Sequence, residues 1–414
     1  MVSLEEASRL MSEMRQEIGT ENVCLMDALY RVLAQDILAG ENVPPFNRSP
    51  FDGYAMRAAD LALASRERPV TLSVTEEVPA GHMPRLEVSP GQAAKIMTGA
   101  PVPAGADCVV KFEETREDGD GIIVSAQCKS GQNIIPIGED IAKGTMIAPK
   151  GTVIDPALIG MMASLGMEDV PVYRQPNVAI LSTGDEVVPV GAELTQGKTR
   201  NSNTYALAGA LLAIGAKPVF LGIARDETEA IGAAVESGLR DADMIITTGG
   251  VSVGDYDLMQ EALQKIGARA IFWRIRIKPG GAVLAARKYG KMILCLSGSP
   301  AAAMLSFHLL ASPYVCRMAG RSRWQNEEID VALKSGINKP SFHKRFVRGR
   351  LAVEDGRSVM ITAEKQGNGV LDSFIGTALL GMIPEGSGPI PPGTRIKAYV
   401  TRAGNFEIGN GQLK

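Results

Sequence analysis

Apolar residues recur at helical spacing from the start of the chain, where Leu4, Ala7, Leu10, Met11, Met14 and Ile18 share one face. Ser3 followed by Glu6 has the form of a capping box, so the pattern predicts an amphipathic opening helix. The proline-rich segment VPPFNRSP at 43–50 breaks that register. From there to about 141, short β-prone runs (PVTLSVTEEV, AAKIMTG, DCVVKFEE, GIIVSA) alternate with turns, and EDGDG at 117–121 reads as a hairpin connection. A second helix is expected at 156–165, with proline in its first turn and Gly166 past its end. Lacking a core of their own, these pieces are expected to pack with the opening helix as one discontinuous domain.

From about 176 the pattern changes. The apolar runs NVAILS, PVFLGIA, DMIITT, AIFWRIRI and KMILCLSG are interleaved with helical patterns such as TYALAGALLAIG, ETEAIGAAVESGL and LMQEALQKIG. Strands alternating with helices imply right-handed crossovers and a parallel sheet, and runs apolar on both faces imply helices on both sides. After about 325 the chain turns to short alternating runs (EEIDVAL, RFVRGRLAV, SVMITA, TRIKAYV) that predict a small β-barrel or sandwich. The expected fold class is therefore multidomain α/β plus β. Residues 1–43 and 142–175 would form the discontinuous helical/β domain and 44–141 the small β domain. A doubly wound parallel-sheet domain would span 176–324 and a C-terminal β-barrel 325–414.

Composition narrows the function classes. A net charge of −3 with pI ≈ 5.8 argues against a nucleic-acid surface, and the short basic cluster His343, Lys344, Arg345, Arg348 and Arg350 reads as a solvated strand face. Five cysteines without a CxxC, and three histidines, assemble no zinc site and read as reduced, buried thiols. The acidic opening MVSLEEASRL lacks the form of a signal peptide, and no apolar run reaches the ~20 residues of a membrane span. A cytoplasmic protein is expected.

Candidate chemistry lies at the strand ends, where open parallel sheets bind ligands. Three loops share small, hydroxyl-bearing residues: Ser182-Thr183-Gly184-Asp185-Glu186, Thr247-Thr248-Gly249-Gly250-Val251-Ser252, and Ser297-Gly298-Ser299-Pro300. Such loops let backbone N–H groups approach an anion, and each runs toward a helix start. Beside them stand Asp185, Glu186, Asp226, Asp255 and Asp257. Carboxylates repel phosphate unless a cation lies between, so the set points to a phosphorylated ligand with a divalent metal. The same acids also suit helix caps and first turns. In IRIKPGG, Arg274, Arg276 and Lys278 would share one face of an extended strand and could clamp phosphates. There is no Walker motif, GxGxxG or GxSxG elbow, and His308, inside an apolar run, reads as a core residue.

The ordered motifs PPFNRSPFDGYAMRAAD, MTGAPVPAGAD, SGQNIIPIGEDI, STGDEVV, TTGGVSVGDYD, FWRIRIKPGG and SGSP resemble those of the molybdopterin molybdenumtransferases, the MoeA family, which includes the E domain of gephyrin. The resemblance spans essentially the whole chain. It implies a homodimeric enzyme acting on adenylylated molybdopterin and molybdate, with magnesium, to give molybdenum cofactor and AMP. Tungstate is an alternative oxyanion. The molybdopterin adenylyltransferase and acceptor apo-enzymes would be partners; nucleic acid and membrane would not. Carried over by motif, Asp52, Glu186, Asp226, Asp257 and Lys278 would be catalytic, with Asp52, Asp226 and Asp257 positioning metal. Thr98, Thr183, Gly184, Gly249, Gly250, Ser252, Arg274, Gly298, Ser299 and Pro300 would bind substrate.

The sequence also departs from that family's pattern. Ile134-Ile135-Pro136-Ile137 stands where arginines are usual, KPGGA and SGSP replace KPGKP and PGNP, Arg274 replaces a frequent lysine, and Asn368 holds the place of a serine. The net effect removes positive charge from a site meant for anions. Alternative readings are a non-catalytic molybdopterin carrier or scaffold, and a molybdopterin adenylyltransferase.

Overall fold

A strand that is apolar on both faces needs cover on both sides. The computed structural model describes residues 1–14, 16–251 and 258–401. Its central sheet has six strands in the order Lys217–Ala224, Asn177–Thr183, Met244–Thr248, Lys291–Leu296, Leu284–Lys288 and Arg269–Trp273. The first four are parallel. Alternate residues feed opposite layers: Val178 and Ile180 pack with Leu207 and Leu211 of the Asn203–Ala213 helix, while Ala179 and Leu181 pack with Ile231 and Val235 of the Thr228–Asp241 helix. This is the doubly wound sheet that the sequence predicts.

Its far edge differs. Leu284–Lys288, a strand that the apolar pattern did not mark, pairs antiparallel with both Lys291–Leu296 and Arg269–Trp273. Ala285 and Ala286 have low strand propensity and hide it; only pairing makes them extended.

The opening helix, Leu4–Glu13, buries Leu4, Ala7 and Met11 in the same core as Val178, Ile246 and Phe307. Ser3 Oγ accepts from Glu6 N at 3.1 Å. The capping box is only half made, because the Glu6 carboxylate accepts from Arg9 instead, at 2.8 Å from Nη2. At the other end of the chain, Glu328–Leu333, Lys344–Glu354, Arg357–Thr362, Leu379–Ile383 and Arg395–Val400 close into a barrel through five pairings. The short strand Ile277–Lys278 joins the barrel by parallel pairing with Lys344 and Arg345.

The chain divides into two compact units. The sheet, opening helix and barrel form one, made of Met1–Ala34, Gly151–Ile154 and the chain from Val170 onward. The other is Gln35–Lys150 with Asp155–Asp169. It holds a six-stranded sheet in the order Cys108–Lys111, Gly53–Met56, Gln92–Ile96, Val70–Val78, Gly121–Val124 and Thr115–Asp118. The last two strands are the expected hairpin. The helix Pro156–Ser164 also belongs here, with Asp155 capping Leu158 N at 2.8 Å. The five cysteines form no disulfide; four are buried, but Cys24 is exposed, so it is not the buried thiol expected.

Candidate functional site

The strand order reverses between Asn177–Thr183 and Met244–Thr248, and a crevice opens at the carboxyl ends of such a pair. The three small-residue loops meet there. A Cβ placed on Gly249, whose φ is +97°, would lie 2.3 Å from Thr183 O, and one on Gly298 would lie 3.4 Å from Gly249 Cα. Glycine is therefore required at 249 for the first two loops to touch, while Gly298 packs against it at ordinary contact distance. Ser182, Thr183, Glu186, Thr248, Gly298 and Pro300 line a cavity of about 120 Å³ between the loops. Gly184 (φ +136°) and Gly250 (φ +67°) hold the turns beside it.

Asn203 ties two of the loops together, and the motif reading missed it. Its Nδ2 donates to Thr248 Oγ1 at 2.7 Å and to Gly298 O at 2.8 Å. Asn203 Oδ1 and Thr183 Oγ1 are buried without a hydrogen-bond partner. Buried polar atoms are rarely left so, and these two lie where a ligand would supply the missing bonds. The available signal was Ser202-Asn203 just before the helical run TYALAGALLAIG, at a strand-end crevice.

One expectation about these loops is corrected. The helix Pro300–Ser306 does not offer its first N–H groups to an anion. Ala301 N and Ala302 N donate to Asn368 O at 2.9 and 3.2 Å, and Ala303 N donates to Ser299 O at 2.9 Å. A carbonyl from the barrel end of the chain caps the helix, a contact too distant in sequence for local pattern to show.

Asp226 sits behind the first loop, where its backbone N donates to Asp185 Oδ1 at 3.3 Å. Burial, with the charges of Asp185 and Glu186, pushes its carboxyl above the ordinary range, against a backbone hydrogen bond from Asp185. Asp226 Oδ1 is buried without a partner. A cation would relieve both conditions, so the donor chemistry fits a divalent metal. Among the described residues, however, no three His, Cys, Asp or Glu side chains are gathered to hold one. Asp257 and Ser252, with Asp255, lie outside the described residues.

The cationic segment departs from the extended strand expected. The strand ends at Trp273 and Arg274 has φ +61°; Ile275 forms an isolated parallel bridge with Val2, and strand pairing resumes at Ile277–Lys278. Arg274, Arg276 and Lys278 nevertheless line one cavity of about 640 Å³, together with His343, Ser297 and Asn368. The Arg274 guanidinium also lies 5.4 Å from the centre of the Trp273 ring. Arg348 corrects the solvated-face reading of the basic cluster: it is fully buried, 5.6 Å from the Phe374 ring. Its Nη2 donates to Gly367 O at 3.2 Å, Nε and Nη1 have no partner, and burial pulls its pKa down to about 10.

In the other unit, Asp52 Oδ1 accepts from Thr98 N at 2.7 Å and Thr98 Oγ1 at 2.8 Å. These bonds, the backbone one first, hold its carboxyl below the ordinary range. Asp52 and Thr98 are thus one constellation. The departure Ile134 is partly buried against the core containing Ala55, Val78 and Ala94, whereas Ile137 is exposed.

Comparison with known proteins decides the family. The sequence profiles of the MoeA N-terminal region (domain I and II), the probable molybdopterin binding domain and the MoeA C-terminal region (domain IV) match residues 2–166, 179–317 and 330–401. A molybdopterin molybdenumtransferase from Bacillus subtilis is 34% identical over 98% of this chain and 95% of its own. The chain belongs to the MoeA family. Another molybdopterin molybdenumtransferase, from a Nostoc species, is 33% identical over 84% of this chain and 80% of its own. The crystal structure of the molybdopterin biosynthesis MoeA protein from Pyrococcus horikoshii is 31% identical, superposes with a TM-score of 0.83, and covers 97% of this chain and all of that one (100%). This MoeA-family chain is therefore a transferase with a role in molybdenum cofactor biosynthesis. Among its described residues, no helix is long and apolar enough to cross a membrane.

Proposed function

We propose that this protein inserts molybdenum into molybdopterin, using adenylylated molybdopterin and molybdate and releasing AMP in a magnesium-dependent reaction. The observation that carries the reading is the pairing of two cavities in one unit. One, between the three strand-end loops, has buried polar atoms lacking partners; the other gathers Arg274, Arg276 and Lys278. A recess lined mostly by hydroxyl, amide and glycine groups, beside a cationic chamber, suits a ligand with both a heterocycle and phosphates.

In this reading, Thr183, Asn203 and Glu186 orient the organic part of the substrate. Arg274 and Lys278 bind the anions and offset charge as the phosphoanhydride breaks. Asp226, with Asp257 and Asp52, would hold magnesium, which supplies charge neutralisation at the phosphates. The Asp52–Thr98 pair would reach such a site from a second copy of the chain, which is why a homodimer is part of the proposal. The four-module division, the cytoplasmic location, and hand-over from an adenylyltransferase and to acceptor apo-enzymes belong to the same reading.

The test is single-turnover AMP release from adenylylated molybdopterin with magnesium, comparing molybdate, tungstate and no oxyanion. Oxyanion-dependent release is expected, and Asp226→Ala should lower its rate by at least about 100-fold if metal-phosphate stabilisation is lost. Tight binding without AMP release would replace the enzyme with a molybdopterin carrier, a reading favoured by the missing arginines at 134–137. ATP consumption would instead mark an adenylyltransferase.

A further inference from the structure

The 640 Å³ cavity contains a residue that neither the motifs nor the family match singles out: His343. Its position follows from strand register. Ile277 pairs with Lys344 and Lys278 with Arg345, in parallel. His343 and Arg276 each directly precede the paired strands, and both line the cavity. Arg276 and Lys278 are exposed and Ile277 is buried, and His343, half-buried, lines the cavity with these two cations.

Its strand neighbours are engaged elsewhere. Lys344 pairs with Glu5, and the Arg345 guanidinium donates to Lys339 O at 3.3 Å and Pro340 O at 2.9 Å. Ser341 Oγ donates to His343 O at 2.7 Å and pins the turn that presents the ring. The charged side chains that line the cavity with His343 are Arg274, Arg276 and Lys278. On its own strand are Arg345 and the Lys344–Glu5 pair.

We propose that His343 is a proton-linked ligand of a tetrahedral dianion, either a phosphate monoester or a free oxyanion, and sets how strongly this cavity holds it. Histidine is the side chain whose charge changes between about pH 5 and 8. A dianion held between the ring and these three cations favours the charged imidazolium. Binding therefore takes up a proton and strengthens as pH falls. The inference rests on the anion-binding role proposed above but not on turnover.

Sulfate is the probe, because its charge stays constant over this range. Titration calorimetry on the full chain at pH 5.5, 6.5 and 8 should show binding about tenfold tighter at the lowest pH, the scale of one charge-assisted hydrogen bond. The heat should vary with the ionisation enthalpy of the buffer, reporting proton uptake. His343→Gln should bind at pH 5.5 as the parent does at pH 8, without proton uptake. His343→Lys should bind tightly at every pH. A parent pH profile retained in His343→Gln would overturn the proposal and assign the effect to another group. Failure of His343→Lys to restore affinity would equally overturn it, while far-ultraviolet circular dichroism confirms that each variant is folded. Competition against sulfate by molybdate and by phenyl phosphate names the source: His343-dependent displacement by one alone identifies the dianion. If AMP release fails but this linkage is found, the insertase reading falls and the anion site stands.

Discussion

At the scale of the residue, burial decides what a titratable group can do. His308 is 6% exposed, edge-on to Phe307 at 5.5 Å and stacked on Phe374 at 5.9 Å. Burial pushes its pKa down to about 4, so it is neutral at pH 7, as its apolar setting in the sequence implied. An unfolded histidine titrates near 6.5, so the unfolded chain takes up this proton first. The stabilisation is thus present above about pH 6.5 and lost as pH falls toward 4, on the order of 3 kcal/mol in all. Urea midpoints measured from pH 7 to 4.5 should fall less steeply in His308→Gln than in the parent; parallel curves would remove His308 as the cause. Asp226 has the opposite sign, since its folded carboxyl is raised and its ionisation costs stability as pH rises. Local sequence revealed both residues, but it read Arg348 as solvated, because the alternation in RFVRGRL does not say which face a barrel closes upon.

At the scale of the element, glycine separates a turn from a contact. Gly249 combines φ +97° with a Cβ position 2.3 Å from Thr183 O, whereas Gly209 in the Asn203–Ala213 helix has nothing within 4 Å. Gly249→Ala should lose about 1–3 kcal/mol or more, and ligand binding with it, by forcing two strand-end loops apart. Gly209→Ala should gain about 0.4–1 kcal/mol, since alanine favours the helix. Chemical denaturation of the pair checks this; equal effects would mean that the loop contact carries no stability. The helices and most strands were legible from apolar spacing. Leu284–Lys288 was not, because alanines take their conformation from the strands beside them.

At the scale of the whole molecule, the two units have separate cores: one around Val178, Ile246 and Phe307, the other around Met56, Leu72 and Ile122. Two cores of unequal size should not melt as one. Calorimetry is expected to resolve at least two transitions, or a van't Hoff enthalpy below the calorimetric one. A single transition with equal enthalpies would show that the units unfold together. Sedimentation tests the proposed homodimer directly, and a monomer at micromolar concentration would leave the Asp52–Thr98 pair without the role proposed for it.

By itself the sequence determined the repeating strand-helix order, the chemistry gathered at each strand end, the hairpin at 117–121 and, through ordered motifs, the family. These are legible because periodicity and turn residues act over a few positions. Only the tertiary structure decided that Asn203 clasps Thr248 and Gly298, that Asn368 caps a helix on another element, that Arg348 is buried, and that His343 and Arg276 line one cavity. Each of these depends on which surfaces meet, and packing selects that from alternatives with the same local pattern.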